Sequence, residues 1–120
     1  ARYHAAANLV ALGRFDEAIT QYDRVMASGS GVVQRMSRLG KAEAQLRAGQ
    51  FDPAIATLKE TSEQANTNLP VDAVLMELAR AYQMAGKTED ARKTLTQVVE
   101  KHADSPLAAD AKTELEKLKG

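Results

Sequence analysis

Apolar side chains recur at three- and four-residue intervals through nearly all of the 120 residues, the spacing that gathers them onto one face of an α-helix. The interruptions fall where helices are punctuated: at glycines able to take the left-handed conformation, at prolines, and at acidic or hydroxyl residues able to cap amides. Seven helices are predicted. The first covers about residues 2–12 and stops at Gly13. The second starts near Asp16, read as its cap, and carries Ala18, Ile19, Tyr22, Val25 and Met26 until residues 28–31 (SGSG) break it. A third, about 32–48, presents Val33, Met36, Leu39, Ala42 and Leu46 and stops at Gly49. The fourth opens with Asp52 as cap and Pro53 at the first helical position, where proline loses nothing. It carries Ala54, Ile55 and Leu58 and fades into the polar stretch 64–68. Pro70 opens a fifth, with Val71, Val74, Leu75, Leu78 and Tyr82 inward, closed by Gly86. The sixth, about 88–102, buries Ala91, Leu95, Val98 and Val99, and Ser105 and Pro106 launch a seventh with Leu107, Ala108, Ala111, Leu115 and Leu118 in one stripe.

Overlaid on this periodicity is a longer one. Gly13, Gly49 and Gly86 are each followed five residues later by an alanine, Ala18, Ala54 and Ala91, in units reading GRFDEAITQYDRVM, GQFDPAIATLKETS and GKTEDARKTLTQVV. The glycines stand 36 and 37 residues apart, a period that means stacked helical hairpins, each leaning on its neighbour to hide its apolar face. The small alanines let the two helices of a hairpin approach closely, and Phe15 or Phe51 wedges against the neighbour. The expected organisation is a single domain over 1–120, with repeats at about 1–30, 32–68 and 70–103 and a capping helix at 105–119. Because Ala1 opens directly into helical pattern, the chain is expected to be a piece of a longer protein, its leader, anchor or earlier repeats lying upstream.

With a first helix, a tight turn and a second helix in each unit, the chain resembles the tetratricopeptide repeat family. The third unit carries the pattern through Leu75, Leu78, Ala79, Ala81, Tyr82, Gly86, Ala91, Leu95 and Val98. The first keeps Gly13, Phe15, Ala18, Tyr22 and Val25 but has Ala5 and Ala6 where the family has a leucine and a small residue. The second keeps Ala42, Ala44, Gly49, Phe51, Ala54 and Leu58, yet offers Lys41 and Gln45 at usually apolar sites. The implied fold is all-α: a right-handed α-solenoid of three hairpins plus a C-terminal capping helix. Sel1-like and pentatricopeptide repeats have similar periods and fit less well. The former want extra glycines within the hairpin turn, and the latter a basic groove. A narrower resemblance, carried by VVEKHADSPLAADAKTELEKL with Ser105, Ala108 and Ala111, by LARAYQMAGKTEDARKTLTQVV and by the loop around NTNLPVDAVLMEL, is to envelope domains of the ancillary Sec-translocon subunit and the cell-division coordinators. It implies a membrane-tethered or envelope adaptor.

Composition narrows the chemistry. Sixteen basic and sixteen acidic residues cancel, which removes the long-range attraction expected of a nucleic-acid binder. The chain has no cysteine, so it has neither a disulfide frame nor a thiolate site. No apolar run reaches the roughly 20 residues that span a bilayer, so no membrane insertion by this segment is expected. The compartment stays open between the bacterial envelope and the cytoplasm. His4 and His102 lie at opposite ends of the chain, no phosphate-cradling glycine motif occurs, and no serine has a histidine in register. Asp16 with Glu17, and Glu89 with Asp90, fall in first helical turns where the helix dipole favours negative charge. No catalytic, metal or cofactor residues are therefore expected, and the chain is not expected to be an enzyme.

The expected site is a surface. The resemblance implies that the first helix of each hairpin lines a concave groove, which here places Tyr3, His4, Ala7, Val10, Met36, Leu39, Glu43, Leu46, Arg47, Met76, Glu77, Arg80, Gln83 and Met84 on it or at its rim. The carboxylate clamp of some family members is not expected, because its sites read Tyr3, Ala7, Gly40, Ala73 and Glu77. Methionines and leucines in a groove suit an amphipathic helix or extended apolar peptide. The expected function is a non-catalytic interaction scaffold for a protein or peptide partner. The alternative is a structural or self-assembling segment whose groove is covered by its own or another chain.

Overall fold

Seven helices make up the described residues of the structure, a computed structural model that covers residues 2–29, 31–64 and 71–119; of 2, 3, 64 and 119 only the helical backbone is described. In chain order they are α1 (Arg2–Ala11), α2 (Phe15–Ser28), α3 (Gly31–Arg47), α4 (Phe51–Gln64), α5 (Val71–Met84), α6 (Thr88–Lys101) and α7 (Leu107–Lys119), with no strand among the described residues. The expected opening of α5 at Pro70 and the polar stretch 65–70 lie outside them.

The glycine of each repeat closes a helix by the same two hydrogen bonds. The Gly13 amide donates to the Val10 carbonyl at 3.0 Å and the Arg14 amide to that of Leu9 at 2.9 Å. Gly49 and Gln50 reproduce the pair on Leu46 and Gln45 at 3.1 and 2.8 Å, and Gly86 and Lys87 on Gln83 and Tyr82 at 3.0 and 2.8 Å. This is the Schellman closure, which satisfies orphan carbonyls and needs a positive φ; the three glycines have φ of 79°, 81° and 77°. The residue after each glycine then accepts from the repeat alanine four residues on, Ala18, Ala54 and Ala91, at 3.0, 3.2 and 3.0 Å, starting the next helix. All three alanines are fully buried. The recurring spacing of glycine and alanine is thus one turn geometry used three times.

Two sequence expectations about caps are corrected. Helix α2 begins at Phe15 with Arg14 as N-cap and no side-chain cap bond; Asp16 lies inside the first turn with Glu17 and acts on the dipole instead. Helix α4 begins at Phe51, so Pro53 is its third residue, still among the first amides that lack an intrahelical acceptor.

The chain divides into two compact units, Ala1–Thr61 and Ser62–Gly120. In the first, α1, α2 and α3 enclose Ala6, Val10, Ala18, Tyr22 and Ala44, with Leu9, Phe15 and Ile19 packed around them. The polar residues at usually apolar sites are satisfied there: Lys41 reaches Asp23 on α2 at 2.7 Å, and buried Gln45 accepts from the Thr57 hydroxyl on α4 at 3.1 Å. On α3, Val33 and Met36 of the apolar series are 49% and 41% exposed, which suits the surface position expected of Met36.

In the second unit α5 packs on α6, and α7 packs on both. The core is Val74, Leu75, Leu78, Ala79, Ala81, Ala91, Leu95 and Val98, joined from α7 by the buried small Ala108 and Ala111, with Leu107, Leu115 and Leu118 half-buried. Polar contacts supplement that thin apolar interface. Ser105 caps α7 by accepting from the Leu107 amide at 3.0 Å and donates its hydroxyl to Asp72 in the first turn of α5. At the other end Arg92 of α6 donates to the Leu118 carbonyl at 3.3 Å.

Candidate interaction surface

Each unit leaves one face of a first helix uncovered. In unit 1 that helix is α3. Met36, Glu43 and Arg47 follow one another at intervals of seven and four residues, hence on one stripe. Met36 and Arg47 are exposed, Leu39 beside them is half-buried, and Glu43 Oε1 takes the Arg47 Nε at 3.0 Å. Upstream, Val32 and Val33 continue the exposed apolar character. Two residues expected on this surface are not on it: Val10 packs in the α1–α2–α3 core at 9% exposure, and Leu46 is 2% exposed. Val10 faces the core that α1, α2 and α3 enclose, and Leu46 lies one turn beyond buried Ala42 on the same side of α3. His4 and Ala7 are exposed on α1, while the Tyr3 side chain lies outside the described residues.

In unit 2 the corresponding helix is α5. Met76, Arg80 and Gln83 recur at four and three residues, with Glu77 and Met84 along one side of that line. Arg80 Nη1 stands 3.4 Å from Glu77 Oε2, and Met84 is 41% exposed. Met76, Glu77, Arg80 and Gln83 converge on a cleft of about 250 Å³, whose lining Ala79, Leu95 and Glu114 complete. Ala79 and Leu95 are buried and apolar, whereas Glu77, Arg80 and Glu114 are charged.

Leu95 and Glu114 were not expected at a binding surface. The one sequence signal for Glu114 was its place three residues before Lys117, whose Nζ lies 3.3 Å from it, and that spacing equally describes a solvated face. Only the packing of α7 against α5 brings it to the cleft.

Asp72 is the carboxylate most altered by its setting. The Ser105 hydroxyl bond pulls its pKa below the ordinary carboxylate range, partial burial opposes this, and the Ala73 amide (2.9 Å), the charge of His102 and its own amide add to the lowering. This carboxylate is a helix-terminus anchor. Among the described residues no group of histidine and carboxylate side chains is arranged to hold a metal ion, and no helix is long and apolar enough to cross a membrane.

Comparison with known proteins matches this geometry. A sequence profile described as tetratricopeptide repeat covers residues 3–68, more than half of the chain, and another of the same description covers 70–115. Cellulose synthase operon protein C of Xanthomonas axonopodis pv. citri (strain 306) is 33% identical over 102 residues, which is 82% of this chain and 7% of that protein. Among solved structures, the nearly identical TPR-like repeats of a putative kinesin light chain from Podosopora anserina superpose with a TM-score of 0.74 at 24% identity, and a glutamine-to-methionine variant of them with 0.75 at 23%. Each comparison covers 98% of this chain and 63% of the other. The chain thus spans a small part of its sequence relative and less than two thirds of its structural ones. At such identities the superposition establishes the fold, an all-α solenoid of the tetratricopeptide type. That fold is typically non-catalytic and serves as a scaffold for protein–protein contacts. The thrice-repeated glycine closure, the buried alanines and two profile matches that tile the chain lead to one assignment: the chain belongs to the tetratricopeptide repeat family.

Proposed function

We propose that the protein is a non-catalytic scaffold that binds a peptide or a partner's helix through the uncovered face of a first helix, α3 in one unit and, separately, α5 in the other. One observation carries this reading: on both helices one side is core while the opposite stripe keeps methionines accessible among charged residues, Met36 with Glu43 and Arg47, and Met76 and Met84 with Glu77 and Arg80. Unbranched thioether side chains adapt to varied apolar partners, and charges beside them orient the partner. Val10 and Leu46 serve the core beneath and take no part.

The test is methyl NMR of Met36, Met76 and Met84 during titration with synthetic amphipathic helical peptides, alongside light scattering over a dilution series. A monomer whose three methyl signals move with peptide is the expected result. A stable oligomer whose methyls ignore peptide would overturn it in favour of a self-assembling segment. The reading extends to an adaptor of the bacterial envelope, supported by the resemblance of the tail and by the match to a bacterial protein named for a cellulose synthase operon. Recovery of the full-length protein only in the cytosolic fraction would overturn that extension.

A further inference from the structure

The cleft between α5 and α7 is too small to seat a helix, whose diameter with side chains is about 10 Å. At about 250 Å³ it admits a single side chain reaching down from a segment that lies over it. Its floor is buried Ala79 and Leu95, and flexible Met76 forms part of one wall. At the rim one carboxylate stands on each wall, Glu77 on α5 and Glu114 on α7, against the single guanidinium of Arg80. The lining therefore carries a formal charge of −1 over an apolar floor.

Resting on the function proposed above, we infer that this cleft takes an arginine or lysine of the bound segment, its aliphatic stem along Met76 and Leu95 and its cationic head between Glu77 and Glu114. Long basic side chains divide in this way, stem against apolar surface and head in a polar rim. Each rim carboxylate already meets a basic residue of its own helix, Glu77 Oε2 with Arg80 at 3.4 Å and Glu114 Oε1 with Lys117 at 3.3 Å. Exposed pairs of this kind are weak and rearrange readily, so they compete poorly with an incoming cation that also buries its stem. An acidic side chain would meet two carboxylates. A purely apolar one would fill the floor without using the charge.

Three acetylated, amidated helical peptides of alanine and leucine, carrying arginine, norleucine or glutamate at one central position, test the inference by calorimetry and methionine-methyl NMR. The arginine peptide should bind roughly three- to tenfold more tightly than the norleucine peptide at low salt, with the gap closing as salt rises. The Glu77→Gln, Glu114→Gln double variant should lose that preference, binding the arginine peptide no more tightly than the norleucine one. Glu114→Lys should shift preference towards the glutamate peptide. Both variants change accessible side chains, and circular dichroism verifies that they fold. Equal arginine and norleucine affinities with shifts at Met76 and Met36 would overturn the cation preference while leaving the scaffold function standing. Absence of any shift at Met36, Met76 or Met84 with all three peptides would overturn both.

Discussion

Gly49 has φ of 81° and nothing within 4 Å of the place where a Cβ would stand, so Gly49→Ala meets only the backbone penalty of the left-handed region. It should lower unfolding free energy by about 1 kcal/mol in a urea titration, and equal stability would mean that the turn tolerates an alternative closure. Gly40 is a different case. It sits inside α3, where glycine normally weakens a helix, but a Cβ there would come within 2.4–2.7 Å of the ring and hydroxyl of Tyr22. Tyr22 is buried, so its ring would have to shift within packed surroundings, and Gly40→Ala should destabilise despite alanine's better helix propensity. A gain in thermal midpoint would show that the ring moves freely. Ser37 offers the opposite sign. Its side chain is fully buried and its hydroxyl has no hydrogen-bond partner among the described residues, so Ser37→Ala should stabilise by about 1 kcal/mol.

At the scale of elements, Ala91 of α6 belongs to the core where α5 and α6 pack. Its side chain is fully buried, and Ala91→Leu should overpack that contact and cost about 1–3 kcal/mol in a thermal or denaturant melt. The join between α7 and α5 is more polar and therefore sensitive to pH. Asp72 is held below its ordinary pKa chiefly by Ser105, so its contribution to stability is complete above the unfolded value of about 3.9 and is lost as pH falls through the lower folded value. Thermal midpoints of the parent chain should drop over that acidic window. Asp72→Asn should start from a lower midpoint at neutral pH and show a smaller drop, and parallel pH curves for the two proteins would remove Asp72 as a cause. The helices themselves were legible in the sequence, since periodic apolar residues and glycine stops are local signals. The caps of α2 and α4 were misplaced because acidic residues are as favourable within the first turn as at its edge.

For the whole molecule, the division at Thr61 suggests a test of cooperativity. In repeat architectures stability is roughly a sum of units and their nearest-neighbour interfaces, so damage need not spread evenly. Leu95→Ala should remove about 2–5 kcal/mol from the second unit. Native-state hydrogen exchange is then expected to speed up in α5–α7 more than in α1–α3, and an equal loss of protection in both would mean that the chain opens as one body. The absence of net charge belongs to this scale as well, since it leaves recognition to short-range contacts on particular faces.

Sequence alone determined the all-α class, the repeat period and the positions of the turns, because each follows from interactions within a few residues: helical spacing, left-handed glycine and the small alanine that must follow it. It also singled out Met76, Glu77, Arg80 and Gln83 of α5, which line the cleft. Only the tertiary structure decided which side of α3 meets solvent, that Val10 and Leu46 belong to the core, that Gly40 makes room for Tyr22, and that Glu114 stands across from Glu77. Those outcomes depend on how neighbouring helices compete for the same faces, and side-chain burial in such a stack is set by residues tens of positions away.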